Sequence, residues 1–323
     1  KAYIEYCTTL GIVSGKGDGT YDPEGEVTVS EAAKMVLVAL GYSASLEGYT
    51  GGSWQINVDA RANPLGLYDD LSYSTTSAAL TRDNAAQMLY NALDCDIVRY
   101  DVVFDTTSST LSSTTQLTET DETLLENRFD AVKVEGIVVA NEIATLDSSS
   151  SGGSHLVAGR TRILVTNYDD QEYYGGAENS DGYYDETEDF TVSTGLDELG
   201  RSVSIYVKKE PTSTNAQVLG SVIVSENNVV VTSYGRDSLA TIADDNGLDV
   251  MEAAHAGEDY YDDGTLIAYN YGGLDELAAS DADDNSIRGQ EKILIDNDDD
   301  GDVEYILVNS WRFGKVTSYV SSG

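Results

Sequence analysis

Thr28-Val29-Ser30-Glu31-Ala32-Ala33-Lys34-Met35-Val36-Leu37-Val38-Ala39-Leu40-Gly41 decides the reading of the fold, because it recurs. Thr81-Arg82-Asp83-Asn84-Ala85-Ala86-Gln87-Met88-Leu89 repeats it, and Thr28/Thr81, Ala33/Ala86, Met35/Met88 and Leu40/Leu93 all share an offset of 53 positions. A fixed period of this size marks a repeat in which each unit buries its apolar face against the next. In the first copy Thr28 and Glu31 form a capping box, each satisfying a backbone amide that the first helical turn leaves orphaned. Val29, Ala33, Val36 and Leu40 then fall at helical spacing, and Gly41 is placed to end the helix. The second copy keeps Thr81 as the cap, with Asn84 at the box position and a stripe of Ala85, Met88 or Leu89, and Ala92. A helix with Trp54, Val58 and Ala62 on its apolar face is expected before the second copy, after a Gly/Ser-rich loop at residues 43–53.

Each copy follows a loop. Gly11-Ile12-Val13-Ser14-Gly15-Lys16-Gly17-Asp18-Gly19-Thr20-Tyr21-Asp22-Pro23 precedes the first, with Asp18 and Asp22 placed to brace the turn. Gly66-Leu67-Tyr68 precedes the second. The Gly-hydrophobic loop, the G-D-G-T-Y-D-P segment and the Thr-capped helix start together resemble the S-layer homology (SLH) family. The resemblance implies a helical repeat module, a bacterial cell-surface location and attachment to cell-wall polysaccharide. In that family an arginine at the helix start contacts the acidic glycan. Arg82 matches that position in the second copy, whereas the first has Val29, so the first groove is expected to bind poorly. Trp54 is the second glycan candidate, as a platform on which a sugar could stack.

The 323 residues are enough for two or three domains. With 57 acidic against 18 basic residues the formal charge is −39, a field that repels nucleic acid and anionic membranes. A hydrophobic content of 41% nevertheless argues for a folded chain, with divalent ions offsetting part of the repulsion. Neither nucleic-acid binding nor membrane insertion is expected, since no run approaches the roughly 20 apolar residues of a span. The two cysteines, Cys7 and Cys95, lack metal-ligand spacing and read as small buried hydrophobes. The chain opens inside a repeat and stops after a strand-like run, which reads as a segment of a longer secreted protein.

Beyond the repeats the expected fold is multidomain: a mainly helical SLH repeat module at residues 1–104, then an all-β barrel or sandwich, then a small α+β domain. Residues 105–129 read as a Ser/Thr-rich connector with a short helix near 121–127, capped by Thr118 or Thr120. Residues 130–232 carry strand patterns at 132–139, 162–165 and 202–208, and 222–224 with 229–231 reads as a hairpin around Glu226-Asn227-Asn228. An acidic insertion at 169–189 reads as an exposed loop. Residues 233–323 carry a helix from Ser238 to Asp245 closed by Asn246-Gly247, and strands at 266–270, 292–295, 303–308 and 314–320.

Asp296-Asn297-Asp298-Asp299-Asp300-Gly301-Asp302 has oxygen ligands at positions 1, 3 and 5 and glycine at 6, as in the first half of a calcium loop. Asp296, Asp298, Asp300 and Asp302 are the expected calcium ligands. Leu307 stands at position 12, so the match is to a β-hairpin turn and not to a helix-flanked loop. Other acidic groups, such as Glu258-Asp259 with Asp262-Asp263, read as solvated surface. No catalytic signature accompanies these features: His155 and His255 lie in unrelated contexts, and Gly-x-Ser-x-Gly and His-Glu-x-x-His are absent. Twenty-two tyrosines against four phenylalanines suit half-buried, interface-like packing. The sequence therefore reads as a non-enzymatic extracellular structural protein, a self-assembling subunit of an S-layer or related surface filament. Its expected partners are copies of itself and secondary cell-wall polysaccharide. The alternative is a wall-anchored scaffold or glycan-acting enzyme whose active region lies outside the chain.

Overall fold

The computed structural model describes residues 2–15, 20–105, 112–146, 156–168, 171–172, 187–208, 217–250, 265–269, 274–276, 290–310 and 314–318. The chain divides into two compact units, Lys1–Ala131 and Val132–Gly323.

The first unit holds helices α1 (Ala2–Thr9), α2 (Val29–Ala39), α3 (Trp54–Ala62), α4 (Arg82–Asn91) and α5 (Leu124–Phe129), and strands β1 (Asp96–Asp105) and β2 (Ser112–Thr123). Thr28 and Thr81 occupy matching N-caps. Thr28 and Glu31 form the full capping box, while Thr81 accepts only from the Asn84 amide. The two caps are stitched together, the Val29 amide donating to Ala78 O at 3.1 Å and the Leu80 amide to Val27 O at 2.8 Å. Replacing Thr28 with alanine is expected to lower stability by about 1 kcal/mol, measurable by urea unfolding followed at 222 nm.

Val29, Ala33, Val36, Leu37 and Leu40 of the first copy share one buried cluster with Val58 and Ala62 of α3 and with Met88 and Ala92 of the second copy. Leu89 instead lies 61% exposed, so Met88 is the residue that fills the stripe. Gly41 ends α2 with a φ of 107°.

The expectation of a mainly helical module is corrected here. The helices are short, joined by long turns, and followed by a two-stranded antiparallel ribbon of β1 and β2. Turn residues set this balance: Gly48, Gly51, Gly66 and Asp70 all adopt positive φ and stop helices from extending. Ser112–Thr123, which its composition marked as part of a connector, is a strand, because Val98, Ile97 and Leu117 tie the ribbon to the core. The short helix begins later than expected. Thr123, and neither Thr118 nor Thr120, caps α5 through a capping box with Glu126. Cys95 is buried and its thiol is pushed up to about 11 by that burial, but Cys7 is only half-buried on a helix that buries no residue.

Among its described residues the second unit contains two open sheets with a helix and no closed barrel, correcting the all-β barrel or sandwich expected after the helical module. Its strands are β3 (Ala131–Ala140), β4 (Thr161–Tyr168), β5 (Gln171–Glu172), β6 (Thr187–Phe190), β7 (Ser202–Lys208), β8 (Ile223–Val224), β9 (Val229–Ser233), β10 (Leu266–Tyr269), β11 (Leu274–Glu276), β12 (Glu291–Asp296) and β13 (Tyr305–Asn309), with helix α6 (Leu239–Asn246). One sheet runs β5-β4-β3-β7-β8 with β6 also on β4; the other runs β11-β10-β13-β12-β9.

Strand alternation explains why β13 is buried throughout. Tyr305 and Leu307 face the cluster shared with β3, β4 and β7, while Ile306 and Val308 face α6 through Leu239, Ile242 and Ala243. Residues 130–232 and 233–323 thus contribute to a common core. The expected 222–231 hairpin does not form, for β8 pairs with β7 and β9 with β12. Asn228 redirects the chain between the sheets, its Oδ1 accepting from the Ser202 amide and its Nδ2 donating to Ser202 O and Ser225 O. The helix at 238–246 forms as read, capped by Ser238 and closed by left-handed Gly247. Residues 314–318 form no strand, and the Gly17-Asp18-Gly19 loop, His155, His255, the 258–263 acidic group and most of 169–189 lie outside the described residues.

Candidate functional site

The N-terminal ends of α2 and α3 and the segment after α1 enclose a groove of about 810 Å3 in the first unit. Trp54, the first residue of α3, lines it and packs on the core with part of its ring. Lys34 of α2 reaches across so that its Nζ lies 5.7 Å from the Trp54 ring centroid, within the range of a cation–π contact. Burial lowers the Lys34 pKa, and the neighbouring Glu31 carboxylate partly opposes that shift. Glu31 is itself engaged, its Oε2 accepting from the Thr28 amide at 2.8 Å. Arg82 is the exposed first residue of α4 and does not line this groove, so the two glycan candidates stand apart.

Asp59 holds α2, α3 and the second loop together. Its Oδ1 accepts from Ser30 Oγ and from the Tyr68 hydroxyl, both at 2.7 Å, and its Oδ2 accepts from Thr76 Oγ1 at 2.7 Å. Gln55, one helical turn earlier, donates to Ser30, Thr76 and Ser77. Burial and the Asp59 hydrogen bond both raise the Tyr68 pKa, which keeps the phenol a donor. Sequence reading overlooked Asp59. The available signal was the i, i+4 pair Gln55/Asp59 set beside the apolar Val58/Ala62 pair.

The acidic turn joins β12 to β13. Asp296 is fully buried, and its side chain organises the turn by accepting from the amides of Asp298 (3.3 Å), Asp299 (2.7 Å) and Gly301 (3.1 Å). Asp299 and Gly301 take φ values of 62° and 99°, which let the backbone curl round the Asp296 carboxylate. Asp296, Asp298, Asp300 and Glu304 converge, each with a carboxylate oxygen within 4.8 Å of the others.

Glu304 stands where Asp302 was expected. The Asp302 backbone pairs with Asp249, whose amide donates to Gly301 O and whose carbonyl accepts from Val303 N. Glu304 occupies position 9 of the loop, a ligand position in calcium loops that can be found by counting onward from Asp296. Burial pushes the Glu304 carboxyl up to about 7, with Asp298 and Asp296 adding to the effect and the Asn297 amide opposing it. Asp298 is raised by burial and then by Asp300. Crowded carboxylates of this kind are eased by a cation.

A repeat of capped helices around an aromatic-lined groove, followed by sheets and an acidic turn, defines a modular protein of two compact units. Residues 1–33 match the family model of the S-layer homology domain, so the chain carries an SLH segment at its N-terminal end. Over 96 residues, or 30% of the chain, it is 31% identical to the middle cell wall protein of Brevibacillus brevis, covering 8% of that protein. Over 271 residues, or 83% of the chain, it is 22% identical to the cell surface protein of Thermoanaerobacter kivui, covering 32% of that protein. The chain thus spans less than a third of the length of either relative. No solved structure matches it. These matches place the chain at the bacterial cell surface. Among the described residues no helix is long and apolar enough to cross a membrane.

Proposed function

We propose that this chain is a structural part of a surface protein, held to cell-wall polysaccharide by its SLH module and associating with further copies of itself. The observation that carries this reading is the SLH match at residues 1–33 together with the adjoining groove, in which Lys34 lies over Trp54. An indole face suits the apolar side of a sugar ring, and a lysine beside it offers a cation to an anionic substituent. Arg82 presents a second cation at the start of α4. In co-sedimentation with purified wall polysaccharide, W54A and K34A are expected to weaken binding about tenfold or more, and R82A to weaken it as well. Undiminished binding by all three variants would remove the groove and Arg82 from the interaction.

Calcium is proposed for the acidic turn, with Asp296, Asp298, Asp300 and Glu304 as ligands. The support is the convergence of four carboxylates on a loop that spaces them at positions 1, 3, 5 and 9. At calcium a hundredfold above its dissociation constant, binding to the folded state alone adds about 2.7 kcal/mol of stability. That corresponds to roughly 5–10 °C in the melting of a unit of this size. Calorimetry in chelator and in millimolar calcium measures the shift, and E304Q is expected to reduce it. Identical melting in both solutions would rule the site out.

A further inference from the structure

The β1–β2 ribbon outruns its core. Near the body Val98 is buried, but Val102, Val103 and Phe104 are 55%, 46% and 60% exposed, and no third strand flanks the pair among the described residues. A two-stranded ribbon is marginal in water without a further strand or a packed face. Its free edge can be identified from the hydrogen bonds. The Val98 amide donates to Leu40 O at 2.8 Å, so Val98 turns its backbone groups away from β2. The unbroken register from Val98 to Asp105 then turns Tyr100, Val102 and Phe104 the same way, so that their amides and carbonyls point to the outer edge of β1, where no strand pairs with them among the described residues.

Charge selects the occupant. On a chain of net charge −39, copies can meet only where acidic residues do not face each other, and Val102-Val103-Phe104 and the opposing Ser113–Leu117 stretch carry no charge. A two-fold antiparallel pair of β1 strands centred on Val103 would set Asp101 opposite Asp105 twice. Centred on Val102, the pair sets Arg99 opposite Asp105 twice, Tyr100 opposite Phe104 twice, and Val102 opposite itself. Opposite charges and aromatic pairs across strands are favourable, and like charges are not.

We propose that two copies of this chain join through the outer edges of β1, antiparallel and centred on Val102, to form a continuous four-stranded sheet. The pairing rests on the self-association proposed above and specifies its surface. Tyr100, Val102 and Phe104 exchange backbone hydrogen bonds with Phe104, Val102 and Tyr100 of the other copy, and the contact is isologous.

Sedimentation equilibrium of the purified chain at physiological salt tests it, with hydrogen exchange of the Tyr100 and Phe104 amides as a second readout. The wild type is expected to dimerise, and those amides to gain protection as concentration rises. V102P removes an amide that the intrachain ladder does not use, so the ribbon persists while the dissociation constant rises roughly tenfold or more. R99D and D105R each set like charges opposite and weaken the dimer by roughly 2- to 30-fold, and the R99D/D105R double variant restores it. A wild type that stays monomeric at millimolar concentration overturns both the pairing and the self-association reading. If the wild type associates while V102P and the charge variants behave identically to it, self-association stands and this surface is wrong.

Discussion

Asp59→Ala is expected to lower the stability of the first unit by about 3 kcal/mol, a fall in melting temperature of roughly 10 °C for a unit of this size. The carboxylate accepts three short hydrogen bonds, from Ser30 on α2, Tyr68 in the second loop and Thr76 in the strap before α4. Hydrogen bonds to a charged acceptor contribute about 1.5–3 kcal/mol each. Their sum is discounted because Asp59 is only half-buried and the freed hydroxyls can partly rebond to water. Tyr68 has the least freedom to do so, being 7% exposed. Circular dichroism melting measures the loss. Because Asp59 joins the first repeat to the second, the variant should also weaken polysaccharide binding by letting the groove walls drift apart. A variant that melts within 2 °C of wild type, about half a kilocalorie per mole here, would show that the network is dispensable.

A loss of similar size, about 3 kcal/mol, is expected from Gly136→Ala in the second unit. Gly136 lies in β3, where the register against β4 shifts between Glu135 and Gly136. A Cβ at this position would lie 2.0 Å from the Leu164 carbonyl oxygen and 2.7 Å from Ile163 Cγ2. Both obstacles belong to the neighbouring strand, one of them its backbone, so relief requires β3 and β4 to separate. Val138, Val139, Ile163 and Val165 pack in one cluster about this junction, and a separation there opens the core that both sheets share. Chemical denaturation of the G136A variant, followed by near-ultraviolet circular dichroism of the core tyrosines, reports the effect. An unchanged midpoint would mean that the bulge absorbs a methyl group.

Local chemistry made the repeat legible. A threonine cap, a glutamate three residues on, a stripe at helical spacing and a terminating glycine are short-range features, and Thr28, Glu31, Val29, Ala33 and Gly41 all perform as their order in the chain requires. The strand patterns at 132–139 and 202–208 and the capped helix at 238–246 were equally plain, as was the acidic turn at 296–302. Pairing partners were decided elsewhere. Val222-Ile223-Val224 and Val229-Val230-Val231 have the pattern of a hairpin, yet Asn228 binds Ser202 and sends β9 to the second sheet. Side-chain alternation records which face is buried but not which strand lies alongside, and that choice belongs to contacts distant in the chain. The same limit kept Asp59 from view, since its partners come from three separate segments. At the acidic turn the residue types and spacing reside in the sequence alone. That Glu304 converges with the aspartates while the Asp302 backbone is drawn to Asp249 was settled only when the two segments met, because the isolated bridge to Asp249 joins residues far apart in the chain.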